Sequence, residues 1–540
     1  MEDGRTEVSS SSSLSTMRAI DQRRVAFIAF IGIVVGALVT MLALGRFQWF
    51  YFDEWDYLAS RRATEIGDLL RPHNEHWQTL PIVLYRALWT VFGLRTYLPY
   101  QLGVLSLHLT SAVLLRVVMR RAGVHPWLAT IAAGAFAFLG SGYENIIWAF
   151  QVGFAASLAF GLAHLLLADH DGAFDRRDVL GLLFGLAGLI SSGAAVPLTI
   201  VVGVATLFRR GWRLALAHTA PLGAVFAVWW LGYGRDGFAD TDPSVGGAAR
   251  FVVTGVAAGF DAIGQVAGSG WAIAVLLVAG LGLGLSRSSR DRRSAIPAIA
   301  LLGGAVLFFV VSGLGRAGGF GEEFARSSRY LHLFAALTLP AIAVAIDRLR
   351  QRWWIIGVVG AVVLVAGIPG NVMALSDHAD GNEQLQRQYR KIILTLPRVE
   401  LAREVPRSVR PEPGLAFPVT IGWLLDGVDD GRIPPPAELE PNIVAANEVR
   451  LSFAQTGRDP DVACSDVPLP ARMDIDEGDV LHFAGGRLRV VPAGGRAGVL
   501  SFVRYDPANG AWLRVVHGPT RVRLLSDNNE APTTVCLTSA

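Results

Sequence analysis

Apolar residues in this chain come in long unbroken runs, not in the alternating or one-faced patterns of a soluble domain. The first run covers 25–45 and follows Arg18, Arg23 and Arg24. It is long enough to cross a bilayer, whose hydrocarbon core takes roughly 20 apolar residues. Ten more follow at 97–119, 126–142, 147–168, 178–192, 194–208, 212–232, 269–286, 294–314, 327–347 and 353–374. Two further apolar segments, 80–94 and 250–267, are left as non-spanning. In the first of these, Leu80, Val83, Leu84, Ala87, Leu88 and Val91 share one helical face and Arg86 lies off it. That arrangement predicts an amphipathic helix lying in the interface.

From about 375 the pattern changes. Proline joints (Pro411, Pro413, Pro434 to Pro436) and short β-favouring segments replace the long runs. Val480–Phe483, Leu488–Val491, Val499–Val503 and Leu513–Val516 are separated by Gly485-Gly486, Gly494-Gly495 and Asn509-Gly510, which are turn signals. The domain plan is a disordered Ser-rich tail (1–24), a membrane module (25–374) with an outer loop at 46–96, a linker with a helical part (375–444) and a β-rich domain (445–540).

Arginine clusters orient this plan. Arg116, Arg120 and Arg121 close one span, Arg176 and Arg177 follow another, and Arg209, Arg210 and Arg213 come next. Arg287, Arg290, Arg292 and Arg293 form the densest group, and Arg348, Arg350 and Arg352 the last. An alternating path through eleven spans puts all five loops and the N-terminus on one side, the cytoplasmic side by the positive-inside rule. The turn Ser191-Ser192-Gly193 must lie outside for this path to hold. The fold class expected is therefore a polytopic α-helical protein of the cytoplasmic membrane, with its small C-terminal β-rich domain extracytoplasmic. A hydrophobic fraction of 52% and a mean hydropathy of +0.41 agree, and exclude an ordinary soluble enzyme. The net charge of +3 says little, because the charges are segregated along the chain; membrane lipids are the expected surroundings, and no nucleic acid is an expected partner.

Candidate chemistry gathers in the loops on the outer side. After the first run comes Trp49-Phe50-Tyr51-Phe52-Asp53-Glu54-Trp55-Asp56-Tyr57, three carboxylates inside an aromatic belt. Aromatic rings suit the interface, but carboxylates there cost desolvation unless they have partners or work. A carboxylate in reach of a hydroxyl acts as general base, and Trp55 offers a face for a sugar. The same loop carries His73-Asn74-Glu75-His76-Trp77. Two histidines three apart with one acid form an incomplete ligand set, so a divalent metal is an option that is not favoured, and no cofactor is certain. The next outer loop holds Glu144 and Gln151 at the entry of an apolar helix, where polar groups face a cavity or a partner. Arg316, Arg326 and Arg329, with Tyr330 beside the last, place positive charge outside. They suit either a phosphate or pairing with Glu322 and Glu323. Cys464 and Cys536, the only cysteines, fit a disulfide in an oxidising exterior or two separate thiols.

An Asp-Glu pair just after the first span, an outer loop with an amphipathic helix, many spans and an outer C-terminal domain together resemble the GT-C membrane glycosyltransferases. Asn74-Glu75-His76, Trp148-x-x-Gln151 and Ser328-Arg329-Tyr330 are similar to segments of bacterial members of that group. The resemblance implies a polyprenyl-phosphate sugar donor, a glycan or lipid acceptor in the cell envelope, and an inverting transfer with Asp53, and after it Glu54, as base. Asp56, Trp55, His73, Glu75, His76, Trp77, Glu144, Gln151, Arg316, Arg329 and Tyr330 would bind substrate. The alternatives are a transporter or flippase of a lipid-linked glycan, and a non-catalytic scaffold of envelope assembly.

Overall fold

The computed structural model describes residues 6–237, 244–284, 289–456, 465–484, 488–492, 511–518, 520–526 and 534–538. The helices are α1 (Thr6–Leu44), α2 (Ile66–Leu70), α3 (Thr79–Phe92), α4 (Leu98–Arg121), α5 (Pro126–Ala137) and α6 (Glu144–Ile147). They continue as α7 (Val152–Ala168), α8 (Arg176–Leu189), α9 (Ala195–Arg210), α10 (Trp212–Gly232), α11 (Val245–Gly264) and α12 (Ser269–Gly284). The last six are α13 (Ser289–Ser294), α14 (Ile296–Phe320), α15 (Ser328–Arg352), α16 (Trp354–Thr395), α17 (Ile421–Asp429) and α18 (Pro441–Ser452). The strands are β1 (Phe453–Thr456), β2 (Ser465–Asp466), β3 (Ala471–Ile475), β4 (Val480–Ala484), β5 (Leu488–Pro492), β6 (Ala511–Val515), β7 (Thr520–Ser526) and β8 (Thr534–Thr538). Two compact units result. The first comprises Met1–Arg46, Leu69–Pro81 and Gln101–Asp380; the second comprises Phe47–Asp68, Ile82–Tyr100 and Gly381–Ala540.

Seven helices among the described residues are long and apolar enough to cross a membrane, or eight if the pair α11–α12, bent by 104°, counts as one span. The expected count of eleven is therefore not confirmed. The apolar run 126–142 yields only the 12 residues of α5, because the chain unwinds at Phe138 into the short turns before α7. Twelve residues rise about 18 Å, well short of a core about 30 Å thick. α8 and α9, with 14 and 16 residues, are also short, and Ser191-Ser192-Gly193 is the turn between them. Residues 80–94 and 250–267, set aside as non-spanning, correspond to the 14-residue α3 and to the α11 limb of the bent pair. α1 begins at Thr6, so the Ser-rich stretch expected to be disordered continues the helix.

Within the first unit α15 is the central helix, with nearly every residue from Tyr330 to Leu349 buried. It packs against α5, α11, α12 and α14. α12 approaches so closely that a Cβ on Gly280 would meet the Ala345 backbone. Val35, Val39, Val228, Val278, Val358 and Val362 stay exposed on the outer helices, as lipid-facing positions do. The arginine clusters are cross-linked at one end of this unit. Asp169 pairs with Arg121 and Arg209, Asp171 with Arg209 and Arg293, and Asp178 with Arg210. Because α14 starts and α15 ends there, Arg316 and Arg329 belong to the opposite end.

The second unit holds two antiparallel sheets, ordered β1-β6-β4-β8-β2 and β3-β7-β5. Alternate residues of both sheets (Phe453, Leu481, Leu513 and Val515 of one; Ile475, Val490, Val522 and Leu524 of the other) enter a single core. This is the period of two expected of half-buried strands. The segment Val499–Val503 and Cys464 lie outside the described residues, so the Cys464–Cys536 pairing does too.

Candidate functional site

The acidic run of the second unit is built on buried aromatics. Phe50 packs edge-on against Tyr97 and Tyr100, and Trp55 against Trp49, Tyr389 and Trp423. Trp55 is fully buried, which corrects the expectation that its ring is a platform for sugar. Glu54 is equally buried. Its carboxylate accepts from the Tyr85 hydroxyl at 2.6 Å, the Tyr97 hydroxyl at 2.9 Å and the Tyr51 N–H at 3.1 Å. Burial, and then the charge of Glu54, pushes the Tyr85 phenol well above its ordinary range, so it stays a donor. With three donors satisfying it, Glu54 holds the run together. Asp56 is bound by both Nε and Nη2 of Arg61 at 2.9 Å and by Ser60. Asp53 is half-buried, between these two engaged acids. Phe52 immediately before it has φ +55, a conformation a bulky side chain rarely adopts, and its N–H is tied to the Leu415 carbonyl at 2.9 Å.

In the first unit, His73-Asn74-Glu75-His76 is a tight turn. The backbones of His73 and His76 exchange two hydrogen bonds of 3.1 Å, and Asn74 takes φ +51, as asparagine tolerates. The turn presents Glu75 and His76 to α14 and α15. Glu75 pairs with Arg316 of α14. His76 is half-buried with its ring edge-on to Phe154, and its buried Nδ1 has no hydrogen-bond partner among the described residues. Burial, followed by the repulsion of Arg316, pushes His76 down to about 3, so it is a neutral hydrogen-bonding group. His73 rests against Phe150. Trp77 is stacked on Trp229 at 5.1 Å and donates to Thr79, so this ring too serves packing and not the sugar contact expected.

Glu144 caps α15. It accepts from Ser328 Oγ at 2.6 Å and from the Arg329 N–H at 3.4 Å, and lies 3.8 Å from Arg329 Nε. A carboxylate there also suits the positive end of the helix. Gln151 is buried with both amide atoms unpartnered among the described residues. Of the three arginines, Arg326 alone follows the Glu322/Glu323 alternative. Those two acids take Arg250 and Arg326. Arg316 and Arg329 instead pair with Glu75 and Glu144, and both lie over the Phe324 ring, at 5.8 and 5.5 Å.

Behind Glu75, His76 and Arg316 opens a cavity of about 200 Å³. Tyr330 and Gly193 also line it, but most of its wall is apolar, including Phe226, Trp230, Phe308 and Val311. A Cβ on Gly193 would come within 2.9 Å of His76 Nδ1, so the bare glycine makes room for the imidazole. An apolar chamber with an arginine, a carboxylate and a neutral imidazole at one end suits an amphiphile with an anionic head. Phe324, Trp229 and Gly193 were not foreseen from the sequence; Phe324 at the centre of Gly-rich, Arg-flanked 315–329 was the one legible hint. Among the described residues, the side chains with the spacing of metal ligands are His170, Asp175 and Asp178, where Arg210 already occupies Asp178 at 2.5 Å.

No protein-family model and no curated protein matches the chain. Among solved structures, the crystal structure of ArnT from Cupriavidus metallidurans in the apo state is similar, with a TM-score of 0.43 and 14% identity over 76% of this chain and 90% of that one.

Proposed function

We propose that this protein is a membrane glycosyltransferase of the GT-C type. It moves a sugar from a polyprenyl-phosphate donor to a cell-envelope acceptor at the outer face of the cytoplasmic membrane. The observation that carries this reading is the cavity of the first unit, apolar along its walls and ended by Arg316, Glu75 and His76. The isoprenoid supplies the apolar body such a chamber accepts, and the phosphate the charge that Arg316 neutralises. Arg316 spends one Nη on Glu75, a contact a phosphate oxygen can share or replace. In the reaction, Asp53 takes the proton of the acceptor hydroxyl. The acceptor oxygen attacks the anomeric carbon from the side opposite the phosphate, and the bond from carbon to phosphate oxygen breaks. The electron pair leaves on the phosphate, whose charge the arginine stabilises, and the anomeric centre inverts. His76, held neutral, orients a hydroxyl or phosphate oxygen by hydrogen bonding and carries no charge.

The test uses purified protein in liposomes with a radiolabelled hexose on polyprenyl phosphate and an envelope extract as acceptor. The wild type should transfer label and Asp53→Asn should not, while its melting curve stays that of the wild type. Full transfer by Asp53→Asn would remove the assigned base. Label carried across the bilayer without transfer would favour the flippase.

A further inference from the structure

A second groove lies at the arginine-rich end of the first unit, between α5 and α16. It has a volume of about 650 Å³. Both helices start at its mouth, where His125, Trp127, Arg350 and Trp354 line it. Its floor is Gly357 and Ala361, and Ile131, Val358, Val362 and Val365 form its walls. From Gly357 to Ala366 the helix rises roughly 13 Å, close to the depth of one leaflet of acyl chains. Trp127, Trp353 and Trp354 are exposed here, where indole rings mark the headgroup level.

The mouth is built to hold a cation. Asp347 accepts Arg350 Nε at 3.0 Å and the His125 N–H at 3.2 Å through Oδ1, and Gln351 at 2.7 Å through Oδ2. This carboxylate therefore fixes the arginine through Nε alone. Both Nη groups of Arg350 have no other hydrogen bond or ion pair among the described residues. The bare Gly357 lets the Arg350 stem lie on α16, since a Cβ there would sit 2.6 Å from Arg350 Cβ. Charge does not balance at this mouth: Arg120 and Arg350 both act on His125, against the single carboxylate Asp347. Arg352 follows, over the Trp353 ring.

We infer that this groove is a binding site for an anionic phospholipid of the leaflet at the arginine-rich end. One phosphate oxygen pair takes the Nη edge of Arg350, the indoles flank the headgroup, and the acyl chains lie on Gly357 and Ala361. A fork of two N–H donors matches phosphate geometry, and a zwitterionic lipid would bring a second cation to a mouth already positive. The groove between α9 and α14 is apolar along its whole length and has no such head, so it selects no charge. The inference requires only that the helices are in a membrane and is independent of the glycosyltransferase reading.

The experiment is native mass spectrometry of the full chain released from vesicles of equal phosphatidylglycerol and phosphatidylcholine. The ratio of the two lipids retained is the readout. The wild type should retain phosphatidylglycerol in excess. Arg350→Gln should lower that ratio roughly fivefold, as expected for one cation at the membrane surface. Ala361→Trp, which fills the floor, should lower retention of both lipids. Arg213→Gln, an exposed arginine beside Trp212 on α10, should leave the ratio unchanged. Equal retention by the wild type, an unchanged ratio in Arg350→Gln, or an equal drop in Arg213→Gln would each overturn the site.

Discussion

Replacing Glu54 by Gln separates the two neighbouring acids by role. The substitution keeps the shape but turns one acceptor oxygen into an NH2 group. In the wild type the carboxylate receives three donors, at 2.6, 2.9 and 3.1 Å, in a fully buried position. An amide oxygen can still serve two of them, as neutral bonds weaker than charge-assisted ones. The third donor then faces the new NH2 and is left unsatisfied, at a cost of about 1–3 kcal/mol. Adding the weakening of the other two gives a loss of about 3 kcal/mol, and a fall in melting temperature on the order of 5–10 °C. The assay is thermal unfolding in detergent followed by tryptophan fluorescence, which senses Trp49, Trp55 and Trp423 around the site. Asp53→Asn should leave that transition unmoved and abolish transfer. A Glu54→Gln protein as stable as the wild type would refute the structural role, and one that folds normally but cannot transfer would make Glu54 the base.

Three further outcomes follow from the same geometry. His76 is pushed from its ordinary range near 6.5 down to about 3 in the folded chain, so the unfolded chain binds the proton more readily. Stability should be complete above about pH 6.5 and fall as pH drops toward about 3, and His76→Gln should flatten that limb of the pH–stability curve; an unchanged limb would place the acid sensitivity elsewhere. Asn74→Val should distort the turn that presents Glu75 and His76 and reduce transfer, whereas Asn74→Gly should preserve it, because only the branched side chain resists φ +51; equal activities would show that the turn is not held at this φ. In the second unit Arg450 and Glu412 form an ion pair of 3.1 Å with both side chains buried, so Glu412→Gln should destabilise by about 3–5 kcal/mol through the stranded guanidinium, read as a lowered urea midpoint; no change would mean that the site relaxes around the charge.

The sequence carries the membrane helices, the β-favouring C-terminal segments and the residue types of the outer loops, because each rests on local pattern. Pairing did not have a local signal. Glu75 and Arg316 lie 241 positions apart, and Glu54 meets Tyr85 and Tyr97 from 31 and 43 positions away. Nothing next to Glu54 marks it as held and Asp53 as half-exposed. The difference between the expected spans and the long apolar helices has a related cause. A hydropathy window sums apolar character but does not sense where the backbone stops being helical, as it does after Ala137. Trp55 and Trp77 show the limit of residue type as a guide. Both have the chemistry of a sugar platform, but tertiary packing turns both rings to the interior.

The central claim is that the apolar cavity behind Arg316 holds the isoprenoid of a polyprenyl phosphate. A photoactivatable polyprenyl phosphate, crosslinked to the full chain in liposomes and mapped by peptide mass spectrometry, tests it most directly. Crosslinks should fall on the peptides bearing Val196, Trp230, Phe308 or Val311. Arg316→Gln or Val311→Trp should abolish them, and the phosphate-free polyprenol should compete poorly. Crosslinks confined to other helices, or unchanged labelling in both variants, would contradict the account.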